Sequence, residues 1–151
     1  MEIINYSPEL ADHFDAINRH WIVKYFVMED RDNLVLKNPI EQIIDPGGVI
    51  LFAREKDEIL GTVALMKHSD EIIELTKMGV YESARNKGVG KLLIAAAQEK
   101  AKSLGFKTLV LYSNRKLENA IHLYRKYGFE EMALSGHHYD RCDIQMEMSL
   151  S

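Results

Sequence analysis

Arg85-Asn86-Lys87-Gly88-Val89-Gly90-Lys91 joins an apolar, strand-like run to the start of an amphipathic helical pattern. In that arrangement backbone N–H groups and the positive end of the helix dipole converge, which suits a phosphate. Single residues exclude two common phosphate loops. A nucleoside-triphosphate loop, GxxxxGK followed by Ser or Thr, would need glycine where Arg85 stands and a hydroxyl where Leu92 stands. A dinucleotide fingerprint starting at Gly88 would need Gly or Ala where Leu93 stands. The loop therefore asks for an anionic ligand of another kind.

Other residues carry weaker chemical signals. Residues 136–142, "GHHYDRC", gather two histidines, an aspartate and a cysteine that could ligate a metal. Adjacent histidines rarely share one ion in a short loop, so the segment reads better as a turn between the last two strands, with no metal expected. Glu29, Asp30 and Asp32 form an acidic knot, either a solvated loop or a wall that attracts a cationic amine. Asn114, between a strand and a helix, either touches a ligand or caps the helix. His20, His68 and His122 are isolated and receive no role.

These residues must be held by elements that the patterning lays out. Residues 2–6 read as a strand. Ser7-Pro8 then opens a helix with Leu10, Phe14, Ile17 and Trp21 on one face. Residues 22–33 are ambiguous between loop and helix, and Asn38-Pro39 restarts a short helix to about Ile44. Residues 49–55 and 59–68 form a hairpin, and 71–80 a strand leading into the glycine loop. Apolar residues at 89, 92, 93, 96, 97, 101 and 104 mark a helix that Gly105 stops. Residues 107–113 read as a buried strand and 117–127 as a helix. In 141–150, Cys142, Ile144, Met146, Met148 and Leu150 alternate with polar residues as a half-buried strand. The order β-α-α-β-β-β-α-β-α-β-β, its last two strands joined by the turn at 136–142, predicts an α/β fold of the α+β kind, a mixed sheet with helices packed on it.

Composition narrows the function. The 151 residues suit one domain, taken as residues 1–151, because no linker or repeat interrupts them. A net charge of −4 and the lack of a basic, aromatic-interleaved block argue against a nucleic-acid partner. No apolar run is long enough to span a bilayer, and residues 1–10 lack the pattern of a secretory signal. With a lone cysteine, these features lead us to expect a cytoplasmic protein with no membrane partner.

Arg85-x-x-Gly88-x-Gly90 meets the pattern Arg/Gln-x-x-Gly-x-Gly/Ala, and here the chain resembles the GNAT superfamily of N-acetyltransferases. Asn119 and Tyr124 on the next helix, followed by Gly128-Phe129, extend the resemblance over about residues 48–150. It implies a mostly antiparallel sheet of six to seven strands, helices on both faces, and a splay at the cofactor-binding strand. Acetyl-CoA is the implied co-substrate. The resemblance gives its pyrophosphate to the amides of Asn86, Lys87, Gly88, Val89, Gly90 and Lys91, with charge from Arg85. It assigns the pantetheine arm to the backbone of Met78 and Val80, the thioester oxygen to an amide near Met78 or Gly79, and a further hydrogen bond to Asn119. Gly79 is the expected site of a β-bulge.

Acetyl transfer to an amine also needs a base and an acid. The resemblance makes Tyr124 the acid, beside the alternative that it is a core residue, and Glu74 the base, beside the alternative of an exposed strand residue or bulk water. Glu29 and Asn114 are the candidate acceptor contacts. Cys142 on an apolar face argues for direct transfer to a small-molecule or peptide amine rather than an acetyl-cysteine route. A homodimer is left open. The contrasting reading is a non-catalytic CoA-binding module of the same fold, which would have little reason to keep Tyr124 and Glu74.

Overall fold

The computed structural model describes residues 1–136 and 138–151; His137, in the predicted turn, lies outside them. Seven strands form one sheet: β1 (Glu2–Asn5), β2 (Val49–Glu55), β3 (Glu58–Lys67), β4 (Ile72–Val80), β5 (Thr108–Ser113), β6 (Glu130–Met132) and β7 (Ile144–Ser149). They lie in the order β1-β2-β3-β4-β5-β7-β6, antiparallel throughout except for β4 beside β5.

Helices cover both faces. On one, α3 (Val89–Ser103) and α4 (Glu118–Lys126) bury Leu93, Ile94, Ala97 and Tyr124 against Val63, Ile73, Leu75 and Leu111. On the other, α1 (Ala11–Tyr25) and α2 (Asp30–Lys37) bury Phe14, Ile22, Val35 and Leu36 against Ile50, Phe52 and Ala64. Each fully buried Val, Leu, Ile or Phe among them contributes about 1.5–3 kcal/mol. Among the described residues, no helix is long and apolar enough to cross a membrane.

The ambiguous stretch resolves into the end of α1 and the start of α2, while residues expected as a second helix form a single π-turn, Ile40–Ile44. A capping box starts α2: Asp32 accepts from the Glu29 amide at 2.9 Å, and the Glu29 side chain caps in return. This box uses two acids where Ser or Thr usually leads.

Two features of β4 shape the site. Parallel pairing with β5 covers only Ile72–Glu74 against Thr108–Val110, after which the strands diverge. On the β3 side, pairing steps from Thr76 opposite Ala64 to Gly79 opposite Thr62, so Lys77 and Met78 share one partner position. The bulge is thus at Lys77, whose φ is +51°, and not at Gly79 as the sequence suggested. Gly79 has another reason to lack a side chain. A Cβ there would stand 2.7 Å from Ile17 Cγ2 and 3.0 Å from Trp21 Cδ1, so α1 could not pack as closely.

Candidate active site

The divergence of β4 from β5 opens a cleft of about 990 Å³. One end is the loop into α3. Gly88 sits there at φ +79°, a left-handed position that makes glycine the favoured residue, and a Cβ on it would meet nothing within 4 Å. Asn86 also takes a left-handed turn, φ +63°, which asparagine tolerates better than most residues. The loop's outer surface is therefore open at the N-terminus of a fifteen-residue helix, and Arg85, Asn86, Gly88, Val89, Gly90 and Lys91 all line the cleft. This is the fit an oligophosphate requires.

In the middle, Met78, Gly79 and Val80 present backbone on the side where β5 no longer pairs. Tyr124 and Glu74 meet this window from opposite faces of the sheet. Tyr124 belongs to the layer under α3 and α4, with its ring edge-on to Phe129 at 5.8 Å. Burial pushes its phenol up to about 12, so it stays protonated at neutral pH. Glu74 alternates with Ile73 and Leu75, which face α3, and so projects toward α1 and α2. It is buried, and its Oε1 lies 2.7 Å from His68 Nε2.

The far end is closed by a buried ion cluster. The bulge aims Lys77 at Asp32, Nζ to Oδ1 2.7 Å, with Tyr139 Oη 2.9 Å from the same nitrogen. Arg141 binds Asp32 with two nitrogens at 2.7 and 2.8 Å and lies over the Tyr139 ring at 4.3 Å. Burial disfavours the Asp32 carboxylate, but hydrogen bonds from Arg141 and the Lys77 charge outweigh it and hold the group down at about 2. Burial lowers Lys77 in turn, with Asp32 opposing that shift. With three cationic donors on its oxygens, Asp32 is ionised at neutral pH.

Of the acidic knot, read as either a solvated loop or an attracting wall, Asp32 and Glu29 are neither, because both are paired in this cluster. Glu29 accepts from the Asp140 amide at 3.0 Å and Arg141 at 3.3 Å, and it does not line the cleft. Its charge is already matched, so it clamps the β6–β7 loop to α2. Asn114 does line the cleft, but its amide donates to Arg141 O at 2.7 Å and its carbonyl accepts from Lys116 N at 2.8 Å. It organises a turn before α4, whose own N-cap position is Leu117. Among the described residues, no three His, Cys, Asp or Glu side chains form a metal-binding group.

The cleft gathers every other candidate from the sequence except Lys87: Glu74, Met78, Gly79, Val80, Arg85, Asn86, Gly88, Val89, Gly90, Lys91, Asn119 and Tyr124. The sequence assigned His68 no role, did not mark Lys77, and placed Tyr139 and Arg141 only within the turn at 136–142. Their partners lie far along the chain, and no local spacing marks them. Cys142 lines the cleft too, but burial pushes its thiol up to about 11, which leaves little thiolate.

Residues 12–129 match the sequence profile of the acetyltransferase (GNAT) family. The chain belongs to this family. As a GNAT protein it is an acyltransferase, and its relatives agree. It is 34% identical over 116 residues to the uncharacterized N-acetyltransferase YvbK of Bacillus subtilis, covering 72% of this chain and 75% of that one. A GNAT-family acetyltransferase from Staphylococcus aureus Mu50 shares the fold with a TM-score of 0.89 at 21% identity, covering 99% of each chain. The PaiA N-acetyltransferase of Thermoplasma acidophilum, solved with coenzyme A, has a TM-score of 0.77 at 19% identity, with 98% of both chains covered. The GNAT sheet splays where the resemblance required, at β4.

Proposed function

We propose that this protein transfers the acetyl group of acetyl-CoA directly to a primary amine, with both substrates held together in the cleft. One observation carries this reading: the phosphate-type loop and Tyr124 reach the β4–β5 window from one side of the sheet, and Glu74 from the other. Two substrates entering from opposite faces can meet there without passing each other. The coenzyme A in the PaiA structure, on the same fold, supports the identity of the first.

Acetyl-CoA supplies an acyl carbon activated as a thioester. The chain does the rest. Amides from Asn86 to Lys91 and the Arg85 guanidinium hold the pyrophosphate, Met78 and Val80 pair with the pantetheine arm, and Asn119 adds a hydrogen bond from α4. An N–H near Met78 or Gly79 meets the thioester oxygen as it gains charge. Glu74 takes the proton of the acceptor ammonium, and Tyr124 protonates the departing sulfur. Cys142, with its thiol raised, is left out, which favours direct attack over an acetyl-cysteine route. Small-molecule and peptide amines both fit the acceptor role.

Thiol release from acetyl-CoA is measured across a panel of amines for wild type and Tyr124→Phe. Amine-dependent release that drops at least about tenfold in the variant supports the acid role. Undiminished release removes Tyr124 from the mechanism. Binding of acetyl-CoA with no release from any amine points to a CoA-binding module.

A further inference from the structure

Acetylation of an ammonium by a thioester releases one net proton: R–NH3⁺ and acetyl-S-CoA give R–NH–acetyl, CoA-SH and H⁺. Of the two protons that nitrogen loses, one ends on the thiol sulfur and the other must reach water. With Glu74 as the base, the second proton starts on a carboxylate whose side chain is only 10% exposed. Among the described groups near that carboxylate, His68 alone is hydrogen-bonded to it, while His138 of the β6–β7 loop stacks on Tyr112 and bonds Tyr139 O instead. Lys77 is on its own strand, buried and bound to Asp32. Tyr112 on β5 and Tyr139 in the β6–β7 loop are phenols raised by burial, and Cys142 is a raised thiol. Arg31 of α2 lies beside Met66, the β3 partner of Glu74, as a permanent cation.

His68 differs from all of these. Its Nε2 is 2.7 Å from Glu74 Oε1, and its side chain is 31% exposed, so one ring nitrogen meets the cleft carboxylate while the ring reaches solvent. Its backbone is fixed at the β3–β4 turn, where its amide donates to Ile72 O at 2.9 Å. Nearby, Lys67 and Asp70 pair with each other at 3.3 Å. Imidazole is the side chain suited to accept at one nitrogen and release at the other near pH 7.

We propose that His68 is a positioning residue that orients the Glu74 carboxylate and relays the acceptor's proton to solvent. The proposal rests on Glu74 being the base. The ammonium N–H bond breaks as a Glu74 O–H bond forms. That proton moves to His68 Nε2 as Nδ1 gives its own to water, and a tautomer exchange resets the ring. The electron pair left on nitrogen forms the N–C bond, the C–S bond breaks as Tyr124 gives its proton to sulfur, and the nitrogen's second proton returns to Tyr124, so the protons balance.

Three variants test it, each checked for folding by thermal unfolding and by acetyl-CoA binding. His68→Gln can still donate to Glu74 but cannot relay; His68→Ala can do neither. At low buffer concentration both are expected to lose about tenfold in kcat with KM for acetyl-CoA nearly unchanged. Added imidazole is expected to restore His68→Ala in proportion to its concentration, which a structural role would not allow. Glu74→Gln is expected to lose activity without rescue. Wild-type kcat in His68→Gln, beside an inactive Glu74→Gln, would overturn the relay and leave the base intact. Loss without imidazole rescue in His68→Ala would also overturn it. Full activity in Glu74→Gln would remove the base reading, and this inference with it.

Discussion

Replacing Asp32 with asparagine keeps the shape of the side chain and removes the charge on which Lys77 and Arg141 converge. The Lys77 side chain is 2% exposed and Asp32 fully buried, so water cannot take the place of the lost partner. Breaking a buried pair from one side costs about 3–5 kcal/mol. Linkage gives a lower bound. An Asp32 carboxyl held at about 2 against a usual 3.8 corresponds to about 2 kcal/mol. For a domain of this size each kcal/mol moves Tm by about 2–4 °C, so Asp32→Asn is expected to melt roughly 6–20 °C below wild type. The sign with pH follows from the depressed carboxyl: its contribution is complete above pH 3.8 and is lost as pH falls toward 2. Thermal unfolding followed by circular dichroism from neutral pH down into that window measures both effects. The variant should show a flatter acid limb than wild type. A Tm within about 2 °C of wild type at neutral pH would mean that the cluster is solvated and does not hold the β6–β7 loop to α2.

Three further outcomes follow from the same geometry. Gly79→Ala, which sets a methyl against Ile17 and Trp21, is expected to lose about 1–3 kcal/mol in urea unfolding; unchanged stability would show that α1 gives way freely. Because the Tyr124 phenol is raised to about 12, wild-type kcat should not fall between about pH 7 and 10 through its ionisation; a fall there that Tyr124→Phe abolishes would refute the burial effect. Cys142→Ala is expected to keep kcat within about twofold, as direct transfer requires, and a loss of a hundredfold would restore a covalent route.

What could be read from the sequence tracks how locally each feature is encoded. The amphipathic α3, the buried β5 and the alternating β7 announce themselves because one face of each meets the core. Short β6 has all three residues exposed and so no alternation to detect. The first helix runs on through "IVKY", and α2 starts on a capping box of two acids, so neither boundary carries the usual residues. Glycine at 79 was visible, but its cause was not: a helix packing over the strand leaves the same letter as a bulge. Position 77, where the bulge falls, holds a lysine that tolerates φ +51° because its ammonium is anchored. The anion loop was legible since backbone conformation needs glycine there whatever the tertiary context. His68 with Glu74, and Asp32 with Lys77 and Arg141, are pairings made only when the sheet forms.

The short parallel contact between β4 and β5 has a consequence for association between molecules. Past Glu74, the sides of β4 and β5 that face each other carry backbone donors and acceptors unpaired with one another, the condition that elsewhere invites another protein's strand to add on. Here that edge faces inward, in a wedge closed at its apex by the three paired residues and flanked by helices on both sides. The least complete part of the sheet thus lies in its interior, away from the outer strands β1 and β6 along which another molecule's strand could add.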